Sequence, residues 1–273
     1  RADPAEPPPE RPRLVTPAFG RSGGERKPTP RRSQTRRAQH NPPSQRAASP
    51  RPLSDADLLR HVDARTLLVL ASVGDEISLG TGFAINDHQL VTNAHVVAGT
   101  EDVVALSQAA GRMVKCEVLH RGAGVIDFAV LELATGSFGQ HFALASGATR
   151  LERVVAVGYP GVVMRTSAKF DALQDGTSTS LPTAVTSSGE VTTVHPSSGD
   201  PSVTLVGHTA QIGHGNSGGP LVDRCGFVAG VNTFGVEARG DEAAFALSAG
   251  SLATVLTTWG VQFEKAPAPC PSR

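Results

Sequence analysis

The middle of the chain alternates short apolar runs with glycine, aspartate, asparagine and serine, a pattern that predicts β-strands. The first set of predicted strands covers residues 66–73, 80–85, 89–92, 103–106, 113–119 and 126–133. The second set covers residues 154–158, 162–169, 183–194, 203–209, 220–222, 227–232 and 243–247. Many short strands with turn signals between them indicate an all-β sandwich or barrel.

Two stretches carry apolar residues at helical spacing instead. The first spans residues 55–63 and the second spans residues 251–259. The apolar positions are Ala56, Leu58, Leu59 and Val62 in the first stretch, and Leu252, Val255, Leu256 and Trp259 in the second. Spacings of three and four residues place such positions on one face of a helix. We therefore predict a short lead-in helix and a C-terminal helix, and we expect the proline-rich tail at 264–273 to be loose.

The first 53 residues differ from the rest in charge and in proline content. Residues 1–53 carry 12 Lys and Arg against 4 Asp and Glu, a net charge of +8, whereas residues 54–273 carry 13 against 21, a net charge of −8. Twelve of the 20 prolines also fall in the first segment. A segment with so few large apolar residues cannot bury enough surface to offset its chain entropy. We predict that residues 1–53 form a disordered arm or linker.

This basic arm has two interpretations. It either tethers the chain weakly to an anionic polymer or membrane surface, or serves as a solvated linker. The segment has no interleaved aromatic residues that would stack on bases, so we expect no nucleic acid partner. The linker interpretation is the favoured one.

Cysteine content and hydropathy exclude several classes of protein. Cys116, Cys225 and Cys270 are too few and too widely spaced for a dense disulfide framework or a zinc site. One disulfide, for example between Cys225 and Cys270, is compatible with the sequence but is not determined by it. No run approaches the roughly 18 consecutive apolar residues of a membrane span.

Candidate chemistry is concentrated in the glycine-rich segment 213–222. Ser217 lies in a Gly-x-Ser-x-Gly string, where glycines allow a tight turn that aims several amide groups into one concavity. In α/β-hydrolases the histidine follows such a serine, but no histidine follows His214 here. The other arrangement has the order histidine, aspartate, serine. His95 and Asp127 supply that order, within Thr92-Asn93-Ala94-His95 and the apolar segment 125–133.

With these three motifs the chain resembles the trypsin-like serine proteases, most of all the bacterial HtrA/Deg-type catalytic domain. The resemblance implies two six-stranded antiparallel β-barrels of the chymotrypsin type, with the active site between them and a helix at the end. It places a protease domain at 54–263, with barrel one at about 64–135, barrel two at about 150–248 and the C-terminal helix at about 251–259. A PDZ module, which many HtrA-type proteases carry, has no room in these 273 residues.

The resemblance also implies a role for each motif residue. His95 would act as general base and acid, Asp127 would orient it, and Ser217 would be the nucleophile. The backbone amides of Gly215 and Ser217 would form the oxyanion hole. Taken alone, a histidine flanked by apolar residues, such as His95, is more typical of a core than of a catalyst, and the less favoured alternative for Asp127 is a strand-edge or turn residue. No motif for a metal or an organic cofactor is present, and none is expected.

The primary specificity pocket is expected to be formed by the segment before the serine and by the strand 230–234. The candidate substrate-binding residues are Gln211, Ile212, His214, Asn232, Thr233 and Phe234. His214 either contacts substrate or faces solvent, and the sequence favours neither. Because neither segment contains Asp or Glu, we expect cleavage after small or medium uncharged residues rather than after Lys or Arg.

The sequence thus predicts a serine endopeptidase that acts on protein or peptide substrates through an acyl-enzyme intermediate. The alternative is a catalytically silent, protease-like binding or chaperone module. HtrA-type relatives imply an extracytoplasmic location, either periplasmic or secreted.

Overall fold

The first six strands close into an antiparallel barrel. The computed structural model describes residues 49–74, 76–100, 102–107, 112–174, 180–238 and 241–271. The strands of barrel one are β1 (Thr66–Val73), β2 (Glu76–Ala84), β3 (Gln89–Thr92), β4 (Val103–Ser107), β5 (Arg112–Arg121) and β6 (Ala129–Leu133). They are paired in the order β1-β2-β3-β6-β5-β4, and β4 returns to pair with β1.

The second half of the chain forms another six-stranded antiparallel barrel. Its sheet comprises β7 (Ala143–Leu144), β8 (Arg153–Gly158), β9 (Val185–Pro196), β10 (Thr204–His208), β11 (Pro220–Asp223), β12 (Val228–Ala238), β13 (Asp241–Ser248) and β14 (Glu264–Lys265). The order β11-β8-β9-β10-β13-β12 closes because β11 also pairs with β12. The short strands β7 and β14 add to the outside of β12 in parallel. The predicted fold class is confirmed.

Successive side chains of a strand point in opposite directions. One set of apolar residues therefore fills the barrel interior, and the other packs between the two barrels. In β1, Leu67 and Val69 pack inside barrel one, whereas Leu68 packs in a cluster shared with residues of barrel two. Successive strand residues point to opposite faces, so a strand buried on both faces is apolar throughout. The shared cluster includes Phe83 from barrel one and Tyr159 from barrel two, both fully buried.

The predicted strand at 162–169 is wrong. The segment instead forms two short helices, α2 (Gly161–Met164) and α3 (Ala168–Gln174). Met164 is buried while Val162 is 68% exposed, as one turn of a surface helix requires. A short apolar run has no periodicity that distinguishes a strand from a helical turn.

The two predicted terminal helices are present. Helix α1 (Asp55–Asp63) begins after Ser54, whose hydroxyl accepts a hydrogen bond from the amide of Asp57. The C-terminal helix α4 (Ala249–Thr258) begins two residues earlier than predicted and is capped in the same way by Ser248. The first backbone amides of a helix have no partner within the helix, and a serine oxygen just before the helix accepts a hydrogen bond from one of them. No helix in the described residues is long and apolar enough to cross a membrane.

The tail at 264–273, predicted to be loose, is tied to the body at two points. Glu264–Lys265 (β14) pairs with Ala143–Leu144 (β7). Further on, Cys225 and Cys270 form a disulfide with a Cα–Cα distance of 5.7 Å. The two-residue strand was not predicted because it has no apolar run, whereas the disulfide is the one that the cysteine content left open.

Most of the predicted N-terminal arm, residues 1–48, lies outside the described residues. Its last residue, Leu53, donates its amide to the carbonyl of Arg224 at 2.8 Å. The Arg224 guanidinium in turn donates to Asp55 at 2.8 Å, and the His61 ring lies 3.0 Å from the carbonyl of Gly226. These contacts dock α1 on the turn that follows β11.

A buried carboxyl group holds this turn together. Asp223 is 2% exposed, and its Oδ1 accepts hydrogen bonds from the amides of Cys225 at 2.8 Å and Phe227 at 2.9 Å. Burial raises the pKa of Asp223 to about 6, and Glu152 adds to this shift, although the amide hydrogen bonds oppose it. The folded protein therefore holds the proton of this group more tightly than the unfolded chain does.

This shift predicts a pH dependence of stability that Asp223→Asn should reduce. The stabilisation by the Asp223 proton is complete below about pH 4 and is lost as the pH rises through about 6. Between pH 4 and pH 7, the free energy of unfolding of the wild type should fall by on the order of 1–3 kcal/mol more than that of Asp223→Asn. The asparagine oxygen can still accept both amide hydrogen bonds. Urea denaturation across this pH range measures the difference.

Asp171→Asn, at an exposed carboxyl on α3, is the matched control and should keep the wild-type pH dependence. Equal pH dependence in the wild type and Asp223→Asn would contradict the prediction.

Candidate active site

Barrel one brings His95 and Asp127 together through the pairing of two strands. Thr92, the last residue of β3, lies opposite Ala129, the first residue of β6. Because the strands are antiparallel, the chain leaving β3 and the chain entering β6 meet at one end of the barrel. His95 lies in a short 3₁₀ helix (Ala94–Val97) just after β3. Asp127 precedes β6 and lies in a loop, so its prediction as a strand residue is wrong.

The two side chains form a close, two-point contact. Asp127 Oδ2 lies 2.7 Å from His95 Nδ1, and Asp127 Oδ1 accepts the backbone amide of His95 at 2.9 Å. A carboxylate can only accept, so Nδ1 carries the hydrogen and Nε2 of the neutral ring is free to accept a proton. The Asp127 side chain is 17% exposed, whereas that of His95 is 51% exposed. The exposed ring is therefore anchored by a largely buried carboxylate.

Asn93 links this pair to barrel two. It is fully buried, and its Nδ2 donates to the carbonyl of Asp127 at 2.6 Å and to the hydroxyl of Thr233 at 3.1 Å. One amide group thereby holds the Asp127 loop of barrel one and strand β12 of barrel two at a fixed separation.

The loop around Ser217 adopts a conformation that requires glycine. Gly215 has φ of +102° and Gly218 has φ of +84°, a region that side-chain-bearing residues rarely occupy. A Cβ at Gly218 would also collide with the carbonyl of Thr81. Among the described residues, no acceptor is bonded to the backbone amides of Gly215 and Ser217. Those two amides are available to an anion.

The Ser217 hydroxyl donates to the carbonyl of Thr233 at 3.2 Å. It is not engaged with His95 in this arrangement, although Ser217, His95 and Asp127 all line the same cleft. Ser217 therefore lines the same cleft as the His95–Asp127 pair, with its hydroxyl directed at Thr233 in the cleft wall.

Thr81 of β2 fixes the serine loop against barrel one. It is fully buried, and its hydroxyl donates to the carbonyl of Gly215 at 2.6 Å and accepts the amide of Tyr159 at 3.0 Å. Its backbone amide donates to the carbonyl of Ser217 at 2.9 Å. One threonine therefore positions both ends of the Gly215–Ser217 turn.

The cleft has a volume of about 770 Å³. Its lining includes His95, Asp127, His208, Thr209, Ala210, Gln211, Ile212, Gly213, His214, Ser217, Thr233, Gly235, Ala243 and Ala244. Four predicted substrate-binding residues are among them, namely Gln211, Ile212, His214 and Thr233. Asn232 is fully buried behind the wall, and its Nδ2 donates to the carbonyl of Pro220 at 3.1 Å. The backbone of Phe234 is part of β12, but its side chain is outside the described part of the chain.

Three residues of the site were not predicted in the roles that the structure gives them. Asn93 stood inside the histidine motif and Thr81 inside a predicted strand, but neither was assigned contacts, and His208 was not singled out. Buried threonines and asparagines give no distinctive sequence signal, because their partners are remote in the chain. A polar residue in an otherwise apolar strand, as at His208, was the one signal available.

Residues 80–231 match the family model described as a trypsin-like peptidase domain. This segment is more than half of the 273 residues. The chain belongs to the trypsin-like peptidase family. The expected resemblance to the trypsin-like proteases is confirmed.

Two curated relatives of this trypsin-like chain come from Mycobacterium tuberculosis. Serine protease Rv3671c of strain H37Rv and serine protease MT3772 of strain CDC 1551 are each 34% identical to the chain over 184 residues. The alignment covers 66% of this chain and 42% of each relative. The chain thus spans less than half the length of the curated relatives that it matches.

Solved structures show the same fold. The crystal structure of the active form of Rv3671c protease has a TM-score of 0.59 and 25% identity, and covers 86% of this chain and 100% of that chain. A serine endoprotease from Yersinia pestis has a TM-score of 0.59 and 20% identity, and covers 76% of this chain and 67% of that chain. The second likeness is one of fold alone.

The contacts of Thr81 predict that its hydroxyl stabilises the packing of the two barrels. Thr81→Val keeps the side-chain volume but leaves the carbonyl of Gly215 and the amide of Tyr159 buried without that partner. The free energy of unfolding should fall by about 2–4 kcal/mol, because each orphaned group retains its desolvation cost. Urea denaturation at neutral pH measures this change in the free energy of unfolding.

Thr81→Ser is the matched control, since it keeps the hydroxyl and removes one methyl group. It should cost only about 1 kcal/mol. Equal losses in the two variants would show that packing, rather than hydrogen bonding, is the contribution of Thr81.

Proposed function

We propose that the chain hydrolyses peptide bonds with Ser217 as nucleophile, His95 as general base and acid, and Asp127 as the group that orients His95. The observation that carries the proposal is the 2.7 Å contact between His95 Nδ1 and Asp127 Oδ2 on the cleft that Ser217 also lines. That contact leaves Nε2 of the neutral ring as a proton acceptor.

The reaction begins when the Ser217 hydroxyl exchanges the carbonyl of Thr233 for Nε2 of His95. As the serine oxygen bonds to the scissile carbonyl carbon, its proton passes to Nε2, and Asp127 stabilises the resulting imidazolium. The proton then passes to the leaving amine as the peptide C–N bond breaks. A water molecule, deprotonated by the same ring, then attacks the acyl carbon. The ring returns the proton to the Ser217 oxygen as the acyl–serine bond breaks.

The amides of Gly215 and Ser217 are proposed as the oxyanion hole. Their support is the positive φ of Gly215 and the absence of a bonded acceptor for either amide among the described residues. The tetrahedral intermediate carries a negative oxygen, which two preorganised amides can bind without moving. The peptide groups that carry these two amides are held through their carbonyls, since His214 accepts the amide of Gly161 at 2.8 Å and Asn216 accepts the amide of Gly219 at 2.9 Å.

The proposed substrates are proteins or peptides cleaved after small or medium uncharged residues. Asp127 is the one charged side chain among the described residues that line the cleft, and it is engaged by His95. A Lys, Arg, Asp or Glu side chain would therefore be desolvated there without an opposite charge.

One observation favours the alternative of a catalytically silent, protease-like binding module. The Ser217 hydroxyl donates to the carbonyl of Thr233 at 3.2 Å instead of to His95. The two functions differ in whether the serine is ever activated, so a reagent that reacts only with an activated serine distinguishes them.

The Cys225–Cys270 disulfide supports an extracytoplasmic location, since such bonds persist mainly in oxidising compartments. Weak tethering of the basic arm to an anionic surface remains a second, separate proposal.

A fluorophosphonate probe tests the proposed nucleophile. The wild type should be labelled with one probe per chain, and labelling should vanish in Ser217→Ala, because the probe reacts with a serine whose proton is removed by a base. Intact-mass measurement gives the stoichiometry. Ser146→Ala, at an exposed serine of the connecting segment, is the control and should be labelled like the wild type. A folded wild-type protein that takes up no probe would favour the silent module.

Asp127→Asn tests the role of the carboxylate. The asparagine oxygen can keep the bond to the His95 amide, but its NH₂ group would then face Nδ1 and force the hydrogen onto Nε2. A ring in that tautomer cannot accept the serine proton, so kcat should fall by roughly three to four orders of magnitude. Hydrolysis of a peptide with an uncharged residue before the scissile bond measures kcat.

The exposed carboxyl of Asp87 provides the control, and Asp87→Asn should retain wild-type kcat. A loss of less than about tenfold in Asp127→Asn would contradict the assigned role.

A further inference from the structure

His208 is a buried polar side chain that opens on the cleft without a hydrogen-bond partner. It is 3% exposed, and neither ring nitrogen makes a hydrogen bond of acceptable geometry within the described residues. Burial lowers the pKa of His208 to about 4, and interactions with the Ala210 backbone and the Asn232 side chain, which fall outside hydrogen-bond geometry, offset only part of this shift. The ring is therefore neutral at physiological pH, with one donor and one acceptor nitrogen.

Strand register places His208 at the mouth of barrel two. His208 ends β10 and lies opposite Ala244 of β13, and Asn232 of β12 lies opposite Ala246 of the same strand. Directly opposed residues of an antiparallel pair share a face, and Ala246 belongs to the apolar interior of the barrel. His208 and Asn232 are thus polar members of that interior, and His208 is the one that lines the cleft.

The side chain of Asn232 is a second buried polar group in the interior of barrel two, and it does not line the cleft. Its Nδ2 is bonded to the carbonyl of Pro220 at 3.1 Å, but its buried Oδ1 has no partner within the described residues. Two polar groups without well-formed hydrogen bonds in an apolar barrel carry a desolvation cost, and a partner that reaches His208 from the cleft can remove part of it.

Small residues leave room for such a partner in front of His208. Gly213, Gly235, Ala243 and Ala244 all line this cleft, and none has a side chain larger than a methyl group. Ser217 lines the same cleft. A substrate side chain next to the scissile bond could therefore enter this space.

We propose that His208 forms the floor of the pocket for the residue before the scissile bond and selects an uncharged side chain that can hydrogen-bond, with the carboxamide of Gln or Asn as the best fit. This inference rests on the proposed function. A carboxamide offers an acceptor and two donors in one terminal group, which complements a neutral imidazole. An apolar side chain leaves the ring unpaired, and a carboxylate enters without an opposite charge.

Matched peptides test the proposal kinetically. Four peptides share one sequence and carry Gln, Leu, Glu or Lys before the scissile bond. The wild type should cleave the Gln peptide with kcat/KM about 10–100-fold above that of the Leu peptide, because an unpaired polar site discriminates strongly. In His208→Leu this ratio should fall below one. An unchanged ratio in a folded His208→Leu protein would overturn the proposal.

Two control variants distinguish a change of peptide preference from a change in folding. His208→Gln keeps hydrogen-bonding groups at the site and should retain part of the preference for the Gln peptide. His88→Leu, at an exposed histidine in barrel one, should retain all of it. Fluorophosphonate labelling of each variant reports whether the catalytic centre is intact, so a specificity change is separated from a loss of activity.

A binding measurement separates this inference from the proposed catalysis. In Ser217→Ala labelled with ¹⁵N at histidine, a product peptide ending in Gln should shift the imidazole nitrogens of His208, and one ending in Leu should not. If the wild type takes up no fluorophosphonate yet these nitrogens shift, the proposed catalysis fails and the pocket assignment stands. If the probe labels the wild type and the nitrogens respond equally to both peptides, catalysis stands and the pocket assignment is wrong.

Discussion

The cleft depends on polar groups that are buried between the barrels and paired across them. Thr81 bonds to the carbonyls of Gly215 and Ser217 and to the amide of Tyr159, and its own carbonyl accepts the Thr92 hydroxyl at 2.7 Å. An unpaired polar group in this position would be costly, so the barrels are stable in the arrangement that pairs Thr81 with all of these groups. That arrangement is also the one that places the serine loop beside barrel one.

A second contact fixes the other half of the site. The Asn93 amide group spans from the carbonyl of Asp127 to the hydroxyl of Thr233, so barrel one holds its acid against the strand that forms the cleft wall. The proposed triad is thus divided, with His95 and Asp127 supplied by one barrel and Ser217 by the other. Their mutual position follows from inter-barrel hydrogen bonds rather than from any one loop.

The sequence predicted most of the strands, which follow a repeated apolar pattern, and the candidate site residues that lie within short motifs. Strand β1 was predicted to the residue, because apolar residues buried on both faces form an unbroken run between polar turns. The order of His95, Asp127 and Ser217 followed from short motifs. Thr81 was not assigned a role, since a buried threonine in a strand gives no sign that its partner is Gly215, 134 residues away. The pairing of the C-terminal tail with β7 was not predicted, because a two-residue strand has no apolar pattern, whereas the Cys225–Cys270 disulfide was left open by the cysteine content.

The hydrogen bond from the Ser217 hydroxyl to the carbonyl of Thr233 involves a mobile side chain on a fixed backbone. The backbone of the serine loop is held by Thr81 at both ends and by the glycine conformations at 215 and 218. The hydroxyl is the mobile part, because rotation of a serine side chain is fast and needs no backbone change. Exchange of one acceptor for another of similar strength costs little free energy. A serine directed at the cleft wall is therefore compatible with a triad that assembles when substrate enters, and the fixed backbone keeps the two amides in place throughout.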